Sequence, residues 1–149
     1  MTYKPDFKLL GVQLTDSIDA IRRTGVETVE FGPGHATLRM PLAGNVNHVD
    51  MMYAGSLFSL AELPGGAVVL GVFDPAVYFP VVIELTIQYK KPAMTDITVE
   101  VSLSDAEIAR ISAELKERGK CVYILEQELK DTSGDVVATS KGVYQIRKF

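Results

Sequence analysis

One cysteine, two histidines and no tryptophan are all that 149 residues contain of three informative residue types. A lone thiol, Cys121, cannot close an internal disulfide, so no disulfide framework is expected and the anticipated setting is the cytoplasm. Cys121 opens a strand-like run with no histidine near it and reads as a small apolar filler. So few His and Cys leave no cluster with zinc spacing, and Asp50, Asp74 and Asp96 are not spaced as metal ligands; no metal is expected. There is no glycine-rich phosphate loop and no Ser-His-Asp order. Positive charge is also short: 15 Lys and Arg stand against 19 Asp and Glu, a net charge of −4. That balance argues against a nucleic-acid partner for the whole surface, while leaving room for a local cationic patch facing an anionic ligand. The opening MTYKPDFKLLGVQ has no long apolar core and no small-residue cleavage site, so no signal peptide is expected. Repeats and low-complexity stretches are missing. What remains is 47% hydrophobic and 23% charged, which fits one soluble domain spanning 1–149 with a core of its own.

Against this background one residue stands out. From Met51 to Phe73 the chain reads MMYAGSLFSLAELPGGAVVLGVF, and Glu62 is its only charged residue. A buried, unpaired carboxylate is costly and answers by raising its pKa. A chain carries that cost most readily where the carboxylate does chemistry. Competing readings are a membrane span, a plain core helix whose Glu62 reaches solvent or a backbone donor, and a helix end that Glu62 caps. The length suits a span, but Pro64-Gly65-Gly66 interrupts it and no basic cluster flanks it, so no membrane association is expected. Tyr53, Ser56 and Ser59 are too sparse to make a polar face, which weakens a surface-helix reading.

Around the run, periodicity supplies the remaining elements. Residues 6–24 show Phe7, Leu10, Leu14, Ile18 and Ile21 near helical spacing and read as one amphipathic helix stopped by Gly25. Strands follow at 26–31 and 35–42, turned at Gly32-Pro33-Gly34, then an Asn-containing loop over 43–50. The apolar run gives a helix over 52–71, kinked at Pro64. Residues 81–91 and 97–103 alternate as strands. Ser104-Asp105-Ala106-Glu107 is a capping-box pattern that starts a helix over 105–118, within a short insertion at 104–119. Two long strands, 120–130 and 136–147, turn at Ser133-Gly134-Asp135. The order is α+β with an antiparallel sheet, and only the 52–71 helix is apolar enough to be wrapped by it.

Asn47, Tyr53-Ala54-Gly55 and Leu60-Ala61-Glu62 together resemble the hotdog-fold acyl-CoA thioesterases of the phenylacetate-pathway type. The likeness is strongest to a bacterial thioesterase branch that reads Asn-His, then Met-Tyr/Phe-Ala-Gly-Ser-Leu-Phe, then Ala-Glu. The family pattern sets an Asn in the loop, a His-Gly-Gly six residues on, and an acidic residue nine after that His. Here Asn47 plus six is Tyr53, and Tyr53 plus nine is Glu62. Gln88-Tyr89-Lys90-Lys91-Pro92-Ala93 is similar to the family's Tyr-x-x-Pro-Ala strand ending. The likeness spans roughly residues 25 to 147, and the 105–118 helix looks peculiar to this chain. The departures are Tyr53 for His, Ala54 for the first Gly, Glu62 for Asp, and an apolar Pro80-Val81-Val82-Ile83 where some members carry a Ser or Thr.

The resemblance implies a sheet wrapped around a long central helix, hydrolysis of acyl-CoA thioesters, and a site shared by two chains of a homodimer or a dimer of dimers. Coenzyme A is then part of the substrate and no separate cofactor is needed. The expected catalytic residues are Glu62 as base or nucleophile, Asn47 orienting water or thioester, and Gly55 with Tyr53 at the helix start. Substrate contacts are expected from Ala54, His48, Ser56, Phe58, Lys90 and Lys91, and pocket depth from Leu57, Phe58, Tyr78 and Phe79. The chemistry agrees on general grounds. An apolar pocket makes a carboxylate a better base near neutrality. Amides at a helix N-terminus favour developing negative charge, and a glycine there leaves the approach open. Two other readings stand beside this one. The first is a non-catalytic acyl-thioester binding module, which would need neither Asn47 nor Glu62. The second is a 3-hydroxyacyl dehydratase using His48 and Glu62, whose spacing of 14 residues is similar to that of hotdog dehydratases. Against the second, Val49-Asp50 and Ala54-Gly55 stand where those enzymes carry Phe-Pro and Pro-Gly. His48 as a backbone-bonded loop residue, His35 on a surface strand, and Lys90-Lys91 as a solvated strand end that discourages aggregation are the plainer alternatives.

Overall fold

A computed structural model of the chain describes residues 2–149. The first expectation it corrects is the N-terminal helix. Residues 6–24 form two pieces, α1 (Phe7–Asp16) and α2 (Asp19–Arg22), because Ile18 between them is extended (φ −110°, ψ 113°). Ser17 and Asp19 prefer caps to helix interiors, since their side chains compete for backbone groups. Ile18, expected on the buried stripe, is exposed. Asp6 caps α1 by accepting from Leu9 N–H at 3.0 Å. Gly11 lets α1 lie close on the sheet, its carbonyl accepting from Thr28 Oγ1 at 3.0 Å.

Six strands follow: β1 (Glu27–Gly32), β2 (His35–Met40), β3 (Tyr78–Tyr89), β4 (Ile97–Ser102), β5 (Lys120–Lys130) and β6 (Val136–Lys148). They form one antiparallel sheet in the order β1-β2-β4-β5-β6-β3. Strand β3 starts three residues earlier than the pattern suggests and ends at Tyr89, so Lys90 and Lys91 lie just past it. It occupies one edge of the sheet. β5 alternates cleanly between exposed and buried residues, with Cys121, Tyr123, Leu125, Gln127 and Leu129 inward. β4 and β5 are paired only at Thr98–Lys130 and Val99–Leu129. Between them the chain forms α5 (Asp105–Arg118), which buries Ile111 and Leu115. Its Ser104 cap accepts from Glu107 N–H at 3.1 Å, and Gly119 closes it in the left-handed region at φ 69°.

The apolar run becomes α3 (Ala54–Glu62) and α4 (Pro64–Leu70), with Leu63 helical between them. The helix starts at Ala54 rather than Met52, because Met52 bridges to Val46 and its N–H bonds to Ala93 O at 2.8 Å. Both pieces lie on the inner face and touch β2, β3, β4 and β6. One contiguous core results, built on Leu57, Leu60, Ala61, Val68 and Val69 from the helices and the inward rows of the strands. This is the hotdog arrangement that the wrapped-helix reading anticipates. Among the described residues no helix is long and apolar enough to cross a membrane.

Two glycines make the tightest joint. A Cβ on Gly65 of α4 would fall 2.0 Å from the Tyr144 ring, and one on Gly142 of β6 would fall 2.3 Å from its other edge. Tyr144 therefore lies in a slot between helix and strand, stacked on Tyr123 at a centroid distance of 5.5 Å. Because that ring is fully buried, Gly142→Ala should lower stability by about 2 kcal/mol, the overpacking range. Urea midpoints of the variant and the native protein would check this, and an unchanged midpoint would refute the slot.

Candidate functional site

Glu62 is the last residue of α3, and the break behind it explains its setting. Pro64 has no N–H to give to the preceding turn, so carbonyls near the break need other donors. The strands beneath supply them at Ala61 and Glu62, and add a bond to Gly65 just beyond the break. Tyr144 Oη donates to Glu62 O at 3.1 Å, Gln127 Nε2 donates to Ala61 O at 2.9 Å, and Tyr123 Oη donates to Gly65 O at 2.7 Å. Glu62 is thus fixed through its backbone while its carboxyl stays half-buried. Burial pushes that carboxyl above its ordinary pKa. Burial also raises both tyrosine hydroxyls, and the nearby Glu62 charge adds to the rise.

The other end of α3 is organised by a residue that sequence reading missed, Asn45. It is buried, its Nδ2 donates to Thr24 O (2.7 Å) and Pro41 O (2.9 Å), its Oδ1 accepts from Ser56 Oγ (2.9 Å), and its carbonyl accepts from Tyr53 N–H (2.7 Å). Ser56, expected at the substrate, is buried with its hydroxyl committed to Asn45. Asn47 accepts at Oδ1 from Val49 N–H (2.9 Å) and Met51 N–H (3.1 Å), which shapes the loop; its Nδ2 is the half of the amide left to face a ligand. His48 is exposed in the same loop. At the helix start, Ala54 and Gly55 offer N–H groups that no preceding turn can take. The space over Gly55 is not open, however. The Tyr53 ring covers it, 2.4 Å from where a Cβ would stand, and is itself 58% exposed. An oxygen reaching Gly55 must displace that ring. Tyr89 Oη donates to Ala54 O at 3.0 Å and closes the group.

These two ends do not meet within one chain. Eight residue steps separate Ala54 from Glu62, which is about 12 Å along a helix axis. Phe58 lies between them and is exposed. Leu57 is core, Tyr78 packs edge-on against Phe73, and Phe79 packs against Phe149 at 4.7 Å. Past β3, Lys91 Nζ is held by Asp135 (2.9 Å) and Asp131 (3.4 Å), whereas Lys90 Nζ meets only the neutral Gln88 (2.9 Å). Gln127 and Tyr144 also escaped the sequence reading. A signal existed for each: Gln127 is a polar residue in an apolar inward row, and Tyr144 sits one inward position after a glycine on the same face.

Comparison with known proteins fixes the lineage. The model of the YiiD_C family, described as "Putative thioesterase (yiiD_Cterm)", matches residues 8–148. The chain belongs to this family. No curated protein matches it. Among solved structures it is similar to Pseudomonas aeruginosa PA5026, described as a protein of unknown function and probable thioesterase, with 43% identity, TM-score 0.91 and 99% of each chain covered. A protein of Shewanella oneidensis described as "the putative thioesterase" shares the fold at 24% identity and TM-score 0.75, covering 93% of this chain and 97% of that one. So does the thioesterase HI1161 of Haemophilus influenzae, at 12% identity and TM-score 0.74, covering 99% and 94%.

The raised Glu62 pKa has a stability consequence with a definite sign. An acid whose folded pKa exceeds its unfolded one stabilises at low pH, and that contribution is lost as pH rises through the folded value. The glutamine variant carries no such loss. The melting temperature of Glu62→Gln relative to the native protein should therefore be flat below about pH 4 and rise from there toward neutrality. A difference independent of pH between 3.5 and 8 would mean that the carboxyl is solvated.

Proposed function

We propose that this YiiD_C protein hydrolyses acyl-CoA thioesters at a site assembled from two copies of the chain. Glu62 of one copy serves as general base or nucleophile, and the α3 N-terminus of the other holds the thioester oxygen with its Ala54 and Gly55 amides. The observation that carries this reading is the separation of about 12 Å between the raised carboxyl and the only helix-start amides on its own helix. Neither end suffices alone, since hydrolysis needs an activated water or attacking carboxylate together with a stabilised oxyanion. The free edge of the sheet supports the pairing. β3 is 12 residues long, and Val81, Val82 and Ile83 on it are exposed, Ile83 by 56%. A long apolar edge without a partner invites another strand.

In this arrangement Tyr53 is a flap that the thioester displaces to reach Gly55, and Asn47 Nδ2 orients the water or the carbonyl. Lys90, free of carboxylates, is the candidate contact for the coenzyme A phosphates. Lys91 is tied to the β5–β6 turn.

Release of free thiol from acyl-CoAs, acetyl to palmitoyl and aromatic, tests the activity. Glu62→Gln should cut kcat by ~10² to 10⁴-fold with little change in binding, as loss of a general base does. Gly55→Val should also be impaired. Mixing the two variants tests the shared site, because a heterodimer then contains one intact site. If subunits exchange, activity should recover to about a quarter of the native value, half the dimers having one of two sites. Exchange without recovery would place both groups in one chain, and a strictly monomeric protein with full activity would end the dimer reading.

Lys90→Ala should raise KM and flatten its dependence on salt while kcat stays near normal, since a charge that binds ground and transition states alike affects KM. An equal loss on an N-acetylcysteamine thioester, which lacks the phosphates, would make Lys90 structural.

A further inference from the structure

We propose that Gln127 and Ser140 form a polar subsite that recognises a hydroxyl group on the acyl chain, so that hydroxyacyl thioesters are the preferred substrate class. This rests on the hydrolase reading above. Gln127 is 4% exposed and Ser140 6%, and they face each other across β5 and β6. The amide nitrogen of Gln127 is fully used, donating to Ala61 O at 2.9 Å and to Ser140 Oγ at 3.3 Å. Its Oε1 is buried with no partner. The hydroxyl proton of Ser140 finds no acceptor among the described residues. A buried polar atom without a partner is rare and calls for an explanation.

Holding Ala61 O in place requires a donor and nothing more. The unused acceptor on Gln127 and the unused donor on Ser140 belong to side chains joined by a hydrogen bond, and Gln127 is anchored one residue before Glu62. The row they belong to runs outward to the free edge, since Ser140 pairs on its other side with Ile87 of β3, which is only half-buried. An acyl chain that reaches them has to enter from that edge. The second unpartnered atom of this kind, Thr37 Oγ1, sits out of register with the inward-facing Ala36 and Leu38 and so is turned away from the helices.

The chemistry ranks ligands. A hydroxyl both donates and accepts, so it can pair with Gln127 Oε1 and Ser140 Oγ–H at once. An oxo group only accepts, satisfying Ser140 and leaving Gln127 unpaired. A methylene satisfies neither. Hydroxyacyl, oxoacyl and alkyl chains of one length should therefore be favoured in that order.

The test uses butanoyl- and hexanoyl-CoA, their 2-, 3- and 4-hydroxy forms and their 3-oxo forms. Kd is measured by calorimetry on Glu62→Gln, and kcat/KM on the native protein. One hydroxy isomer should bind or turn over at least about tenfold better than the plain chain, the oxo form falling between, as expected where a site must pair a substrate hydroxyl. Ser140→Ala keeps the Gln127–Ala61 bond and should bring the hydroxyl-to-alkyl ratio down toward one, with folding checked by circular dichroism. Equal binding and turnover across the panel would overturn the proposal, as would a preference that Ser140→Ala leaves intact. A binding preference without turnover would keep the subsite and remove the hydrolase reading instead.

Discussion

Everything around Glu62 depends on how the carbonyls at the Pro64 break are satisfied. A proline inside an apolar helix strands hydrogen-bond acceptors in the core, and each orphan would cost about 1–3 kcal/mol. Here β5 and β6 answer with Gln127 at Ala61 O and Tyr144 at Glu62 O, and Tyr123 bonds Gly65 O just beyond, so that the break is tied to the sheet. The glycines at 65 and 142 exist in service of this joint, since without them the Tyr144 ring has no slot. A break that would destabilise an isolated helix becomes the means by which a carboxyl is held at a fixed place on the inner face.

The two ends of α3 are built on different principles. The Glu62 end is half-buried and pinned through its backbone, and its ionisable group is shifted by burial. The Ala54 end is a loop junction, organised by Asn45 and covered by an exposed ring. A helix of fixed rise cannot fold its own N-terminus back onto its C-terminal carboxyl, so length alone keeps the helix-start amides and the Glu62 carboxyl apart. The unpaired, apolar edge at Val81–Ile83 offers a way to bring them together between chains.

The sequence made the wrapped helix legible because hydrophobicity without periodicity, in a chain otherwise rich in alternation, has few other homes. Glu62 was legible for the same reason. The N-terminal helix was misjudged at Ile18, where spacing favoured a buried stripe but Ser17 and Asp19 broke the backbone. Asn45 was overlooked because a polar residue in a loop looks like solvent-facing filler, and only the fold shows its side chain bridging Thr24, Pro41 and Ser56. The cover of Tyr53 over Gly55 depends on a side-chain rotamer, which spacing does not encode. Ser56 and Lys91 have the residue types of ligand contacts, yet Asn45 and the Asp131–Asp135 turn already engage them.

The single thiol has a practical side. Cys121 is buried at the start of β5 beside the Arg110 guanidinium, and burial, its largest influence, pushes its pKa up to about 11. Thiolate is the reactive form, so near neutrality this sulfur is shielded both by protonation and by packing. A chromogenic reagent that titrates liberated sulfhydryl groups would then register only what leaves the substrate, with the folded polypeptide silent in the background. The same reagent turned on the protein alone becomes a clock for unfolding, because Cys121 colours it only when the core opens.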